Sequence, residues 1–260
     1  MKYFFIASLT LITGTAAFAQ KTDSTVVKKN KVEQPKKTEE PKKKNWSKID
    51  LSHRANDHFM VQIGYDNWAG TPDTVHISGL NRSFNFYFML DFPFKTDPRL
   101  SVGAGLGIGS SNIFFKNQEV LVADQGNTTL AFPDETGANH FKKYKLVTTY
   151  LEIPLELRYA LDPENTNKSW KFAVGTKIGT MLSAYTKGKD LQNEANQTIN
   201  NYILKESSKK YFNSFRAVAT ARISKGVFGI FGQFQLTPLI KGSYGAPVYP
   251  FTIGLCFSGL

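Results

Sequence analysis

The ten residues YLEIPLELRY at 150–159 decide how this chain is read. Leu151, Ile153, Leu155, Leu157 and Tyr159 form one rail, and Glu152, Glu156 and Arg158 fall on the other. A period of two places successive side chains on opposite faces, so the stretch is expected to be a strand with one face in each of two environments.

The same period recurs on both sides of it. Phe59, Val61, Ile63 and Tyr65 alternate with Met60, Gln62, Gly64 and Asp66, and Phe84 to Phe92 carries an apolar rail on its even positions. Leu100, Val102, Ala104, Leu106 and Ile108 alternate with Ser101, Gly103, Gly105, Gly107 and Gly109. Further alternating segments start near Trp170, Phe215, Phe228 and Tyr249. Together these predict an all-β protein, an eight-stranded antiparallel up-and-down transmembrane β-barrel.

A soluble antiparallel sandwich would alternate too. Three features favour a membrane. The segments are about 9–12 residues long, which suits a tilted crossing and exceeds the usual soluble strand. The non-apolar rail holds Glu, Arg, Lys, Gln and Gly, as a polar interior would. Aromatic residues stand near segment ends, with Trp68, Tyr185 and Tyr211 expected at one rim and Phe94, Tyr159 and Trp170 at the other. The connections at 93–98, 162–168 and 224–226 are short, whereas those at 69–81, 116–141, 186–209 and 238–247 are longer. This alternation predicts tight periplasmic turns, longer outer loops and both termini in the periplasm of a Gram-negative outer membrane. In lipid every backbone N–H and C=O needs a partner, and pairing between strands supplies one.

The N-terminal residues differ in kind. Lys2, the apolar run from Phe4 and the small-x-small pattern Ala17-Phe18-Ala19 predict a signal peptide over 1–19. Residues 20–54 are expected to be a disordered Lys/Pro-rich periplasmic linker, because so few apolar groups cannot offset the entropy of ordering. The alternating part, 55–260, is the expected outer-membrane domain. The net charge of +11 is split between the linker, where residues 21–50 hold ten Lys against five Asp and Glu, and a nearly balanced remainder. The bland reading of 21–47 is a solvated spacer; the sharper one is a basic arm contacting cell wall or lipid phosphate. No nucleic-acid motif accompanies the charge, and the single Cys256 excludes an intramolecular disulfide framework.

The segment YLEIPLELRY, the Gly-rich strand at 102–109 and the segment 57–68 resemble the PorT-like family of small outer-membrane β-barrel proteins. The resemblance covers about residues 55–260 and implies an outer-membrane location and a link to secretion or envelope assembly. Outer-membrane lipid and, during biogenesis, the barrel-assembly machinery are the partners expected of such a barrel, and the resemblance adds an envelope or secretion protein.

The polar rail supplies the candidate site. Glu152, Glu156, Arg158, Lys171, Lys177, Arg216, Arg222 and Gln233, with Asp91 and Gln235, are expected to converge in the interior as a structural network. Unpaired charge there would be costly. A narrow path for ions is the alternative. The glycines at 103–109 lack the spacing of a phosphate-binding loop and are expected to thin one face of a strand. A lipid-modifying enzyme would need Ser, His and an acid together near the outer rim. His76 and His140, with Ser78, Ser110, Ser111 and Asp134, are the candidates, but no spacing selects a triad. No cofactor and no metal are expected. The long loops are the place for recognition.

Overall fold

The computed structural model describes residues 58–259, apart from 124, 125, 127 and 167. The expected signal peptide and linker lie outside the described residues. Among the described residues there are nine strands: β1 Phe59–Ala69, β2 Arg82–Pro93, β3 Leu100–Phe115, β4 His140–Ala160, β5 Trp170–Gln192, β6 Thr198–Ser207, β7 Phe215–Lys225, β8 Phe228–Gln235 and β9 Tyr249–Ser258. They form one antiparallel sheet in the order β4-β3-β2-β1-β9-β8-β7-β5-β6, with a further ladder between β4 and β5.

This corrects the expected eight-stranded up-and-down barrel. The sheet has nine strands, and β5 has three neighbours instead of two. Its first part, Trp170 to Thr180, pairs with β7, and its second, Tyr185 to Gln192, pairs with β6. β4 runs along its other edge from His140 opposite Gln192 to Ala160 opposite Lys171. The ladders thus pass from β5 back to β4, and β6 pairs only with β5.

The reason for the miss is local. Residues 186–209 are rich in Lys, Asn and Gln and carry no regular apolar rail, so they read as a loop. The chain reverses at 193–197 instead. Asn193 N–H donates to Gln197 O at 3.0 Å, Asn193 Oδ1 accepts from Gln197 N at 2.9 Å, and Asn196 takes a left-handed φ of 59°. Asn tolerates that conformation better than most residues.

The two faces differ sharply. Along β2 and the second half of β4, apolar residues such as Phe84, Phe86, Phe88, Ile153, Leu155 and Leu157 are exposed, while their neighbours are buried. The enclosed face has two zones. Toward the short turns it is mostly polar and charged, with a small apolar cluster of Met60, Tyr87, Met89, Phe231 and Cys256. Toward the long loops it is apolar, where Trp68, Phe115, Phe141, Tyr144, Leu146, Tyr211, Phe212, Leu239 and Ile240 pack with Val120, Val122 and Leu130 of the loop after β3. Trp68 and Tyr211 therefore do not stand on an aromatic rim. Both are buried in this apolar plug, because the loops fold back over the sheet end and cover them. Tyr185 is half-buried on the outer face, and Phe94 and Trp170 are exposed near the short turns.

Candidate functional site

Glycine makes room for charge on the enclosed face. Glu152 on β4 lies between Gly107 of β3 and Gly179 of β5, and Glu156 lies between Gly103 and Gly175. A Cβ on Gly103 would meet Arg158 Nε at 2.5 Å, and one on Gly109 would meet Glu152 Oε2 at 2.5 Å. The alternate glycines of β3 thus thin the wall beside the longest polar side chains.

Two charged clusters occupy that space. In the first, nearer the short turns, Glu156 Oε2 accepts from Arg158 Nε and from Arg222 Nη2, both at 2.9 Å. Arg158 Nη1 reaches Asp91 Oδ1 at 3.4 Å, Ser101 Oγ donates to the same oxygen at 2.7 Å, and Arg222 Nη1 donates to Ser258 Oγ at 3.0 Å. Lys171 lines a cavity of about 20 Å³ with Asp91, Ser101, Arg158 and Arg222.

In the second cluster Arg216 Nε donates to Glu152 Oε1 at 2.7 Å, and Tyr87 OH donates to Glu152 Oε2 at 2.6 Å. Lys177 is fully buried. Its ammonium donates to Gln62 Oε1 and Gln233 Oε1 at 2.8 Å and to Tyr87 OH at 3.1 Å. Gln233 Nε2 passes the network on to Thr252 Oγ1 at 2.9 Å, which donates to Asp66 Oδ1 at 2.5 Å. Ser111 Oγ donates to the other Asp66 oxygen. Gln235 turns its amide to Thr237 O at 2.9 Å. Buried charge is tolerated where an ion meets a counter-ion and further hydrogen bonds, as Glu156 and Glu152 do with their arginines, whereas Lys177 is held by two amide oxygens and a phenol. The arrangement holds side chains in place. The second cluster borders a cavity of about 20 Å³, room for about one water.

The histidine candidates do not assemble with the serines. His140 Nδ1 faces Ala138 O at 3.1 Å and its Nε2 faces Asn196 Oδ1 at 3.3 Å. Ser111 is engaged by Asp66 and Ser110 faces Thr149 Oγ1 at 3.5 Å. Asp134 accepts from Thr136 Oγ1 at 2.6 Å. The His76 main chain bonds with Gln118 and Lys116. Ser78 lines a groove with His140, yet no hydrogen bond joins them. Among the described residues no group of three or more His, Cys, Asp and Glu is placed to hold a metal ion.

That groove is the feature the sequence reading missed. It has a volume of about 410 Å³ and lies between the loop after β1, the end of β3 and the start of β4. Arg82, Lys116, Lys142 and Lys143 line it with Phe114 and Tyr144. Beside it, cross-strand register aligns Phe114, Lys145, Lys187 and Lys205 in one row from β3 to β6. The signal was KKYK at 142–145 and KGK at 187–189, where basic residues recur at a spacing of two.

The family described as "Outer membrane protein beta-barrel domain" matches residues 49–245. No curated protein matches the chain. Among solved structures, Ail, the attachment invasion locus protein of Yersinia pestis, crystallised with the heparin analogue sucrose octasulfate, is similar at 10% identity. The match covers 77% of this chain and 97% of that chain, with a TM-score of 0.34. With three quarters of its length matched to one family, the chain belongs to the outer membrane protein beta-barrel domain family.

Proposed function

We propose that this protein is a non-enzymatic, non-conducting scaffold of the outer membrane. Its exposed apolar face lies against hydrocarbon, and its long-loop end presents a binding surface outside the cell. The observation that carries this reading is the filled enclosed face. Two charged clusters occupy the half toward the short turns, and an apolar plug occupies the half toward the long loops. An ion would have to displace both.

The apolar outer rail of β2 runs from Phe84 to Phe92, about 27 Å along the strand at about 3.4 Å per residue. This is the scale of the apolar band of outer-membrane proteins, about 25 Å. Short turns on one side and long loops on the other support a periplasmic side bearing both termini. Residues 21–47 would then reach toward the cell wall or inner-leaflet phosphates. The PorT-like resemblance of YLEIPLELRY favours service to a secretion or envelope-assembly partner, with insertion by the barrel-assembly machinery.

Planar-bilayer recording on the purified full-length protein tests the reading. A silent trace across the physiological voltage range is expected. Steady ohmic steps would overturn it in favour of a channel. Mass spectrometry of outer-membrane lipids with and without the protein tests the enzymatic rival; an altered acylation pattern would overturn the non-enzymatic assignment.

A further inference from the structure

From the apolar band to the long-loop end, the outer face changes character in ordered rows. Phe84, Ser110, Thr149 and Ser183 pair across β2 to β5 and put hydroxyls at the upper edge of the band. Two residues further on, Arg82, Asn112, Val147 and Tyr185 form the next row. Two further still, Phe114, Lys145, Lys187 and Lys205 form the third, about 13 Å along the strands from the hydroxyl row.

Three lysines directly opposite one another in a sheet repel. The protein does little to relieve this. Among the described residues no carboxylate lies within ion-pair distance of Lys145, Lys187, Lys205 or Arg82. Instead Lys145 and Arg82 flank the Phe114 ring at 5.7 and 5.6 Å, and Lys205 lies 4.4 Å from the centre of the Tyr185 ring. Lys145 also donates to Asn112 Oδ1 at 2.7 Å. Aromatic faces and one amide hold the cations in place without neutralising them. On the next row Lys143 faces Lys189, whose Asp190 carboxylate is 3.8 Å away. Aromatic rings and long basic side chains at this distance beyond the hydroxyl row suit the headgroup layer above the hydrocarbon.

We infer that the row Lys145–Lys187–Lys205, with Arg82, is a binding site for a phosphate-bearing lipid headgroup of the outer leaflet, whose acyl chains lie along the apolar band below. The inference rests on the membrane placement proposed above. Phosphate supplies the missing negative charge, and the hydroxyl row faces the polar–apolar boundary of the lipid. A free phosphate has the same anionic chemistry but no use for the band.

The test is native mass spectrometry of the full-length protein in detergent, given bis-phosphorylated lipid A, the same lipid after enzymatic dephosphorylation, or inorganic phosphate. Retention of the bis-phosphorylated form alone is expected. The triple variant Lys145→Gln, Lys187→Gln, Lys205→Gln should retain it about a hundredfold more weakly. Equal retention of the dephosphorylated lipid overturns the inference, and this arm needs no variant. Displacement of the lipid by inorganic phosphate at matched concentration also overturns it, assigning the site to free phosphate. Alkaline carbonate extraction from proteoliposomes separates the two proposals. Release of the wild-type chain sinks the membrane placement. A chain that stays integrated but ignores the phosphates sinks only the lipid site.

Discussion

Arg216 carries its guanidinium carbon 4.0 Å from the centre of the Tyr150 ring, and that contact is the seam of the enclosed face. On one side Arg216 is bound to Glu152, the start of the charged half. On the other, Tyr150 belongs to the apolar plug and donates its hydroxyl to Asn213 O at 3.2 Å. The stacking lets a desolvated cation end against hydrocarbon without an exposed charge, since an aromatic face attracts a cation. Tyr150→Leu is therefore expected to cost more than its lost area. It removes the ring beneath Arg216 and the bond to Asn213 together, for about 2–4 kcal/mol in urea unfolding from liposomes. A cost under about 0.5 kcal/mol would show that the seam carries no weight.

Glu156 accepts from both Arg158 and Arg222 at 2.9 Å. Glu156→Gln keeps the shape and removes the charge, leaving two guanidinium groups facing each other in a buried space. Removing one member of such a cluster costs about 3–5 kcal/mol. Adding Arg222→Met to Glu156→Gln should restore part of that loss. If the double variant is no more stable than the single one, the cluster is not held together by charge pairing.

Gly107 faces Tyr87 of β2, and a Cβ added there would run into the Phe86 carbonyl oxygen as well as the Tyr87 backbone. Backbone cannot swing aside as a flexible side-chain end can. Gly107→Ala should force β2 and β3 apart and destabilise the protein by about 1–3 kcal/mol. Gly232→Ala, whose Cβ meets nothing within 4 Å, is the control and should change little.

Alternation, a local property of the chain, assigns Glu152, Glu156, Arg158, Lys177, Arg216 and Arg222 to one rail, and all six side chains are buried. Which of them meet was not legible. The link from Lys177 to Gln62 joins residues 115 positions apart and depends on register across several strands. β6 was hidden because its residues are exposed on both faces over most of its length, so no apolar rail marks it. The plug was hidden for another reason. Val120, Val122 and Leu130 are scattered apolar residues in a polar loop and acquire meaning only where the loop folds back onto Tyr144 and Phe115. The lysine row is a property of register, since Lys145, Lys187 and Lys205 become neighbours only once three strands pair.

Glu119 sits in the loop over the plug, where burial, with Glu135 and Glu206 nearby, raises its pKa above the ordinary carboxylate range. Between the unfolded and folded pKa values the folded form therefore binds more proton than the unfolded chain. The linked stability is fully present below the unfolded carboxylate pKa and is lost as pH rises through the folded value. Glu119→Gln should raise the melting temperature at neutral pH, and the gain should disappear as the pH is lowered into the acid range. A gain that is independent of pH would point to packing instead of ionisation.

The branching of β5 makes a prediction about two proline substitutions. Ile178 lies in the part of β5 with partners on both sides, opposite Ile153 of β4 and Ala217 of β7. Proline there removes a ladder N–H and forces the ring into a paired strand, which central strands do not tolerate. Ile203 lies in β6, which pairs only with β5 through Lys189 at that point. Proline in such an edge position is accepted at small cost. Ile178→Pro should thus abolish the cooperative urea-unfolding transition of the protein. Ile203→Pro should keep that transition and merely open the 193–204 hairpin to protease. If both variants lose the transition, β6 is integral to the sheet and not an appendage of β5.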